Sequence, residues 1–222
     1  MNNLSDIHFR IFSFFIFVFG CCIGSFLNVC IWRLPRGESI IFPPSRCPNC
    51  AHLIRFYENI PIFSWIFLRG RCSACSKTIS ARYALVEFLT GFLYLMIWLK
   101  VFEAGQNPLA LIRYFVLTAL AISAFFIDIK HFIIPDAATY PAMLAGIIVS
   151  LFFPESFGFR NAHQSFVFSF VGALASLIFM SLAVIGGRAI FKRDALGWGD
   201  VKYMGAAGAC LGIPGAFFTL ML

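Results

Sequence analysis

Two aspartates stand at the ends of apolar runs that are long enough to cross a membrane, where a charged side chain is costly. Asp128 lies near the end of one run, in "AFFIDIKHFIIPD", and Asp200 opens another in "GWGDVK". Peptide hydrolysis without a metal needs an activated water and a protonated leaving amine. Two carboxylates that share one proton can supply both, the ionised one as base and the neutral one as acid. Asp128 and Asp200 are therefore candidates for a carboxylate pair that acts as general acid and base.

Each of these acids also has a purely structural interpretation. The whole role of Asp200 could be to cap its helix, and Asp128 could pair with Lys130 or Lys202 at the membrane boundary. Asp136 competes for the second catalytic position, but it follows a proline at the start of an apolar run. We interpret Asp136 as part of a helix entry.

Four cysteines form a second group with ligand spacing. They occur as "CPNC" (Cys47, Cys50) and "CSAC" (Cys72, Cys75), separated by 21 residues. Two C-x2-C turns at this separation predict a tetrahedral structural zinc site, with unmetallated thiols or disulfides as the alternatives. A closed four-thiolate site has no open position, so this metal would fold the chain around it rather than take part in a reaction. His52 has no necessary role in it and is expected at the surface.

The composition of the chain indicates what must position these groups. Of 222 residues, 60% are hydrophobic and 12% are charged, with 29 Phe and a mean hydropathy of +0.87. These values indicate a polytopic membrane protein. Nucleic-acid binding is excluded as the meaning of the net charge of +7, because no stretch combines a basic face with a soluble fold. We expect an all-α helical bundle with about six spans, at 11–32, 83–102, 109–127, 132–153, 165–187 and 201–222.

The basic residues predict the orientation. Of the 17 Lys and Arg, 13 lie on one side of the expected membrane and four on the other, and Lys and Arg collect in cytoplasmic loops. The N-terminus is therefore expected in the periplasm, and the loop that follows span one in the cytoplasm. This orientation brings Asp128 and Asp200 to the same cytoplasmic face. Three parts are expected: a first span at 1–34, a zinc-binding loop at 35–82 and a membrane bundle at 83–222.

Other polar residues fall on the same inner face. Glu58, Glu87, Asp136 and Asp194 could pair with arginines of the loop or attract a basic substrate segment. Asn28 lies within the first span and is expected to hydrogen-bond to a neighbouring helix.

Four stretches together resemble one family. They are "GCCIGSFLNVCIWRLP", the segment from "CPNC" through "YENIPIFSWIFLRGRCSACSKTISARYALVE", then "IDIKHFIIPD" and "GWGDVK". In this order, with spans between them, they resemble the type IV prepilin leader peptidases of bacterial inner membranes. The resemblance covers about residues 20–210.

The resemblance implies two activities. It implies an aspartic endopeptidase whose catalytic carboxylates match Asp128 and Asp200, and which cuts the leader from type IV prepilins or from the pseudopilins of type II secretion. It also implies N-methylation of the new amino terminus with S-adenosylmethionine as methyl donor. The complete cysteine loop favours this bifunctional type over shorter relatives that have the peptidase alone. Family members usually run beyond Leu222, so further helices are expected there.

Two other classes of function stay open from the residues alone. A transporter would place acids near mid-span and repeat its topology, and neither feature is evident. A membrane scaffold with a zinc loop would be indifferent to replacement of either aspartate. Presenilin-type proteases share the G-x-G-D feature but lack the cysteine loop. Lipid is an expected partner, and the oligomeric state is open.

Overall fold

The computed structural model describes residues 3–192 and 197–221. Within these residues the fold is all-α, and extended pairing is limited to isolated bridges. Seven α-helices form there: α1 (Asn3–Arg33), α2 (Phe63–Phe67), α3 (Arg82–Glu103), α4 (Ala110–His131), α5 (Asp136–Phe152), α6 (Ala162–Phe191) and α7 (Trp198–Met221). The chain forms two compact units, Met1–Lys100 and Val101–Leu222.

Five helices, α1, α3, α4, α6 and α7, are long and apolar enough to cross a membrane. The predicted helical membrane fold is therefore confirmed. The expected span at 132–153 corresponds to α5, which has only 17 residues and a length of about 26 Å, less than the ~30 Å of a bilayer core. It is shorter because Phe132 has a left-handed backbone (φ 53°) that ends α4, and helix resumes only after Pro135.

In the first unit, α1 and α3 are antiparallel and keep one register along their length. Residues that come later in α1 contact residues that come earlier in α3 by the same number of positions. The contacting pairs are Ser13–Trp98, Gly20–Gly91, Gly24–Glu87 and Asn28–Tyr83. A Cβ on Gly24 would lie 2.6 Å from the Cα of Glu87, so the two backbones touch at this level. Asn28 Nδ2 donates to the carbonyl of Tyr83 (2.9 Å), which confirms the expected partner on a neighbouring helix.

In the second unit, α6 and α7 are held together by a similar backbone contact. A Cβ on Gly208 would lie 2.3 Å from the carbonyl oxygen of Gly172, and a Cβ on Gly172 would lie 2.4 Å from the carbonyl oxygen of Gly208. These contacts involve backbone that cannot move aside, so the two helices require glycine here.

We therefore expect Gly208→Ala to lower the free energy of unfolding by about 1–3 kcal/mol through overpacking. Gly186→Ala is the matched control, because a Cβ at Gly186 in α6 meets nothing within 4 Å. It should leave stability unchanged or raise it by up to ~1 kcal/mol through helix propensity. Thermal unfolding in detergent measures both, and equal destabilisation by the two substitutions would contradict the packing described here.

The helix α7 is broken at Gly212 (φ 70°, ψ −176°) and continues through Pro214. A proline has no N–H to give to the carbonyl four residues earlier, which here belongs to Cys210. The guanidinium of Arg113 in α4 donates to that carbonyl (3.3 Å), and Ser169 Oγ in α6 donates to the carbonyl of Ala209 (2.7 Å). Neighbouring helices thus satisfy the backbone at the break.

The helices α4, α5 and α7 meet in one apolar layer built on Leu120, Ala142 and Ala206. The contact of Arg113 with Cys210 at one end and of Ile134 with Gly199 at the other makes α4 and α7 antiparallel. The last turn of α4 therefore lies at the same end of the unit as the first turn of α7. This arrangement determines where the two candidate acids stand.

Candidate active site and metal centre

Asp128 and Asp200 lie at similar heights above the shared apolar layer. Asp128 comes eight residues after Leu120, and Asp200 comes six residues before Ala206. At 1.5 Å per residue these are rises of about 12 Å and about 9 Å in the same direction. Asp128 also lies about three full helical turns after Leu117, and therefore on the same side of α4 as this residue, which packs on the layer. Both acids are therefore held on rigid helices at one end of the second unit.

The loop before α7 shapes the surroundings of Asp200. The N–H of Gly197 donates to Asp200 Oδ2 (3.1 Å), so the carboxylate is held by the residue directly before its own helix. A Cβ on Gly199 would lie 3.0 Å from the Cβ of Ile134. This close approach brings α7 against the segment that follows α4.

Asp128 lies in the last turn of α4, and its side chain is exposed. Its backbone carbonyl accepts the N–H of Phe132 (2.8 Å), which closes the helix. Over the part of the chain that the structure describes, its carboxylate has no hydrogen-bond or ion-pair partner. The carboxylate is therefore left available for another molecule.

Lys202 pairs with Asp136, and not with Asp128 as one structural interpretation had it. Its Nζ lies 2.6 and 2.7 Å from the two carboxylate oxygens of Asp136 and 5.4 Å from the ring centroid of Tyr140. This ion pair joins the start of α5 to the start of α7. It supports our interpretation of Asp136 as part of a helix entry.

The side chains of this ion pair are 27% and 54% exposed, so we expect a small contribution to stability. A double-mutant cycle of Asp136→Asn and Lys202→Met should give a coupling free energy of about 0–1 kcal/mol in thermal unfolding. A coupling of several kcal/mol would mean that the pair is shielded from water and would contradict this account.

The four loop cysteines come together in the first unit. The sulfurs of Cys47, Cys50, Cys72 and Cys75 all lie within 4.8 Å of one another, and the Cys47–Cys75 and Cys50–Cys72 distances are 3.9 Å. A tetrahedral zinc with bonds of about 2.3 Å needs sulfurs about 3.8 Å apart. The thiols are free. Their geometry and donor chemistry fit a four-coordinate metal site.

The two halves of the metal centre are the same turn used twice, and the same backbone bonds recur 25 residues later. The paired bonds are Cys47 N–H to His52 O and Cys72 N–H to Lys77 O, then Ala51 N–H to Cys47 O and Ser76 N–H to Cys72 O, all 2.9 Å. Ala51 and Ser76 both have a left-handed backbone (φ 56° and 58°). Such a turn points backbone N–H groups at sulfur.

These N–H groups favour the thiolate form. At Cys47, burial raises the pKa, but hydrogen bonds from the N–H groups of Asn49 and Cys50, together with those from the thiols of Cys72 and Cys50, lower the pKa to about 6. At Cys50, the N–H of His52 lowers the pKa, but burial and the neighbouring thiols raise it overall. At Cys72, the N–H groups of Cys75 and Ala74 lower the pKa of the thiol. Metals bind thiolates, so each turn is prepared to supply a ligand.

The other acids of the inner face have internal partners. Glu58 accepts hydrogen bonds from Ser73 and from the backbone N–H of Arg55 (2.9 Å), which lower its pKa. His52 is partly exposed, and its Nε2 lies 3.4 Å from Glu58. Glu87 accepts the backbone N–H of Ile62 (2.7 Å). Asp194 lies outside the described residues.

Sequence reasoning missed the role of Arg113, which it counted only as a basic residue on the periplasmic side. The structure buries its guanidinium between the rings of Tyr114 and Phe157 and against the broken turn of α7. Pro214 within an apolar run was the available signal, because it frees a carbonyl. The sequence does not show which neighbouring helix supplies the hydrogen-bond donor for that carbonyl.

Two family models match the chain. The bacterial peptidase A24 N-terminal domain matches residues 18–101, and the type IV leader peptidase family matches residues 115–222. No solved structure matches.

Curated relatives carry names of the same kind. A prepilin leader peptidase/N-methyltransferase of Myxococcus xanthus is 43% identical over 94% of this chain and 57% of its own length. One of Dichelobacter nodosus is 35% identical over 89% of this chain and 73% of its own. A "Type 4 prepilin-like proteins leader peptide-processing enzyme" of Escherichia coli is 35% identical over 87% of this chain and 74% of its own.

This chain thus spans a little over half of the Myxococcus relative and about three quarters of the other two. The relatives' names agree with the two activities that the sequence predicted, and the family recognised there is confirmed. The chain belongs to the type IV leader peptidase family.

Proposed function

We propose that this protein is an aspartic endopeptidase that removes the leader from type IV prepilins or pseudopilins, with Asp128 and Asp200 as its catalytic residues. The observation that carries the proposal is the common height of the two acids at one end of antiparallel α4 and α7. Family membership supports the substrate class. We assign Asp136 to the entry of α5 rather than to the catalytic pair, and the contact of Lys202 Nζ with both of its carboxylate oxygens supports this assignment.

In the proposed reaction, a water molecule lies between the two carboxylates. The ionised carboxylate takes a proton from the water while the water oxygen attacks the scissile carbonyl. The neutral carboxyl group hydrogen-bonds to the oxygen of that carbonyl. Collapse of the tetrahedral intermediate breaks the C–N bond, and the amine leaves with a proton from the acid. The exposed carboxylate of Asp128 and the first helical turn that holds Asp200 suit two groups that must meet a substrate at the membrane boundary.

We further propose that the protein N-methylates the new amino terminus, as the names of its relatives indicate. S-adenosylmethionine would supply the methyl group. The loop that contains Cys47, Cys50, Cys72 and Cys75 would hold a structural Zn²⁺, which cross-links two turns of a segment with little apolar core.

The basic residues support the proposed location. We assign the protein to the bacterial inner membrane, with its N-terminus in the periplasm. A first span at 1–34 is followed by a cytoplasmic metal loop at 35–82 and by the peptidase bundle at 83–222. Both catalytic acids then lie at the cytoplasmic face. Prepilins suit such a site, because they pair a membrane-inserted helix with a cytoplasmic leader.

The test is reconstitution of the purified protein in detergent with a prepilin and S-adenosylmethionine. We expect mass spectrometry to show loss of the leader and a gain of one methyl group on the new terminus. An intact prepilin, with the protein folded and metal-loaded, would favour a scaffold function instead. Cleavage without methylation would leave the peptidase standing and remove the second activity.

A further inference from the structure

The short helix α2 presents an apolar face to its surroundings. Phe63, Ile66 and Phe67 follow the i, i+3, i+4 spacing that puts side chains on one side of a helix. Ile60, in extended backbone shortly before α2, is exposed as well. All four are exposed, Phe63 at 61% and Phe67 at 80%. We call these four residues the α2 face. So much contiguous apolar surface outside the long helices indicates that α2 contacts a membrane or another molecule.

The orientation of α2 is fixed from its other side. Trp65 Nε1 donates to the carbonyl of Ile79 (3.2 Å), and its ring lies 3.0 Å from where a Cβ on Gly70 would stand. The face therefore points outward because Trp65 anchors the opposite side.

A buried carboxylate holds α2 next to a membrane-spanning helix. Ile62, directly before α2, has φ 64° and ψ −53°, a conformation that is strained for a β-branched residue. The turn is closed by Phe63 N–H to Pro61 O (2.6 Å), and the N–H of Ile62 donates to Glu87 Oε2 (2.7 Å). Glu87 lies in the second turn of α3. The α2 face therefore starts beside the second turn of α3, a helix long and apolar enough to cross a membrane.

Continuity and charge both favour a lipid occupant. Leu85 and Phe88, on either side of Glu87 in α3, are exposed apolar residues of a helix long enough to span a membrane, so lipid would reach α3 beside the attachment point of α2. Residues 35–81 contain six Lys and Arg and two Glu. Four thiolates with one Zn²⁺ would still leave this segment positive, and Arg69 and Arg71, which follow α2 in the chain, are exposed cations. Apolar residues bordered by basic ones are typical of segments that lie in the interface of anionic membranes.

We propose that the α2 face docks into the headgroup–acyl boundary of the cytoplasmic leaflet, and that the Glu87–Ile62 hydrogen bond sets the angle at which it enters. The metal loop is then attached to the membrane at three places: the end of α1, the start of α3 and the α2 face. This inference does not depend on the peptidase activity, and its tests do not measure that activity.

The first test is photocross-linking of the full, metal-loaded chain in nanodiscs of phosphatidylethanolamine and phosphatidylglycerol with prepilin present. The photoreactive p-benzoylphenylalanine replaces Phe67, or, as matched control, Ala74, which is exposed on the second cysteine turn. We expect phospholipid adducts at position 67 in roughly tenfold excess over position 74. A prepilin adduct at 67 would show a substrate-docking face, a dimer adduct would show a second copy, and equal lipid yields at both positions would show no specific docking. Each of these overturns the proposal.

The second test removes the docking while keeping the metal. In Phe63→Glu/Phe67→Glu, trypsin cleavage after Arg69 and Arg71 in the same nanodiscs should accelerate by about tenfold, because the face leaves the membrane. Ala74→Glu should leave the rate unchanged. Unchanged cleavage in the double variant, with metal content retained, would contradict the proposal. Where the double variant loses its metal, the cross-linking result decides.

Discussion

Asp128→Asn and Asp200→Asn should each lower the rate of prepilin cleavage by about 10²–10⁴-fold, the usual contribution of a general acid or base. Asparagine keeps the size of the side chain but can neither accept the proton of water nor deliver one. Because the two residues act on one water, the double variant should lose little more than either single variant. Mass spectrometry of the product over time measures all three rates.

Two other acids of the same unit serve as controls. Glu155→Gln removes a carboxylate at the other end of the bundle, where it accepts from Asn107 Nδ2 (2.7 Å). Asp136→Asn removes one near the proposed site that is already paired. Both should keep the rate within about tenfold of the parent protein, since surface pairs contribute ~1 kcal/mol or less. If Asp128→Asn or Asp200→Asn cleaved as fast as these controls, that residue would have no catalytic role.

Cys47→Ser should remove the metal and unfold the cytoplasmic loop. Zinc binding contributes about 10–16 kcal/mol in small zinc domains, and loss of one of four thiolates removes much of it. The centre is confined to the first unit, so we expect faster proteolysis between α1 and α3, while the helices of the second unit keep their protection from hydrogen exchange. Zinc content by elemental analysis and limited proteolysis measure the effect.

The chain offers a matched control for this substitution. Cys22 is exposed on α1 and lies outside the metal cluster, so Cys22→Ser should keep a full complement of metal. Stoichiometric zinc retained in Cys47→Ser would argue against a site of four thiolates. Chelation of the parent protein should reproduce the proteolysis pattern of Cys47→Ser.

The features that the sequence predicted correctly depend on local or composition-wide signals. Ligand spacing gave the cysteine cluster, because each C-x2-C turn is closed within six residues. Apolar run length gave the spans, because a bilayer demands about 20 residues whatever the neighbours are.

The features that were missed depend on which distant residues meet. Lys202 was weighed from the sequence as a partner of Asp128, and only the packing of α5 against α7 selects Asp136 instead. The run at 201–222 was expected to be one span, but α7 breaks at Gly212, and the break is tolerated because Arg113 and Ser169 happen to lie beside it. That Asp128 and Asp200 form the catalytic pair stays a prediction. The helix ends that carry them lie together, and the separation of their carboxylates is the quantity to measure.

The most direct test of that separation is cross-linking in native membranes of Asp128→Cys/Asp200→Cys with a short bifunctional methanethiosulfonate. Because the chain has 8 cysteines of its own, linked peptides are identified by mass spectrometry. Asp136→Cys/Lys202→Cys, whose native side chains are 2.6 Å apart, shows that the reagent works, and Asp128→Cys/Glu155→Cys sets the background. We predict that the Asp128–Asp200 pair links as efficiently as the first control. A yield no higher than background would mean that the two carboxylates cannot hold one water between them, and would contradict the proposed mechanism.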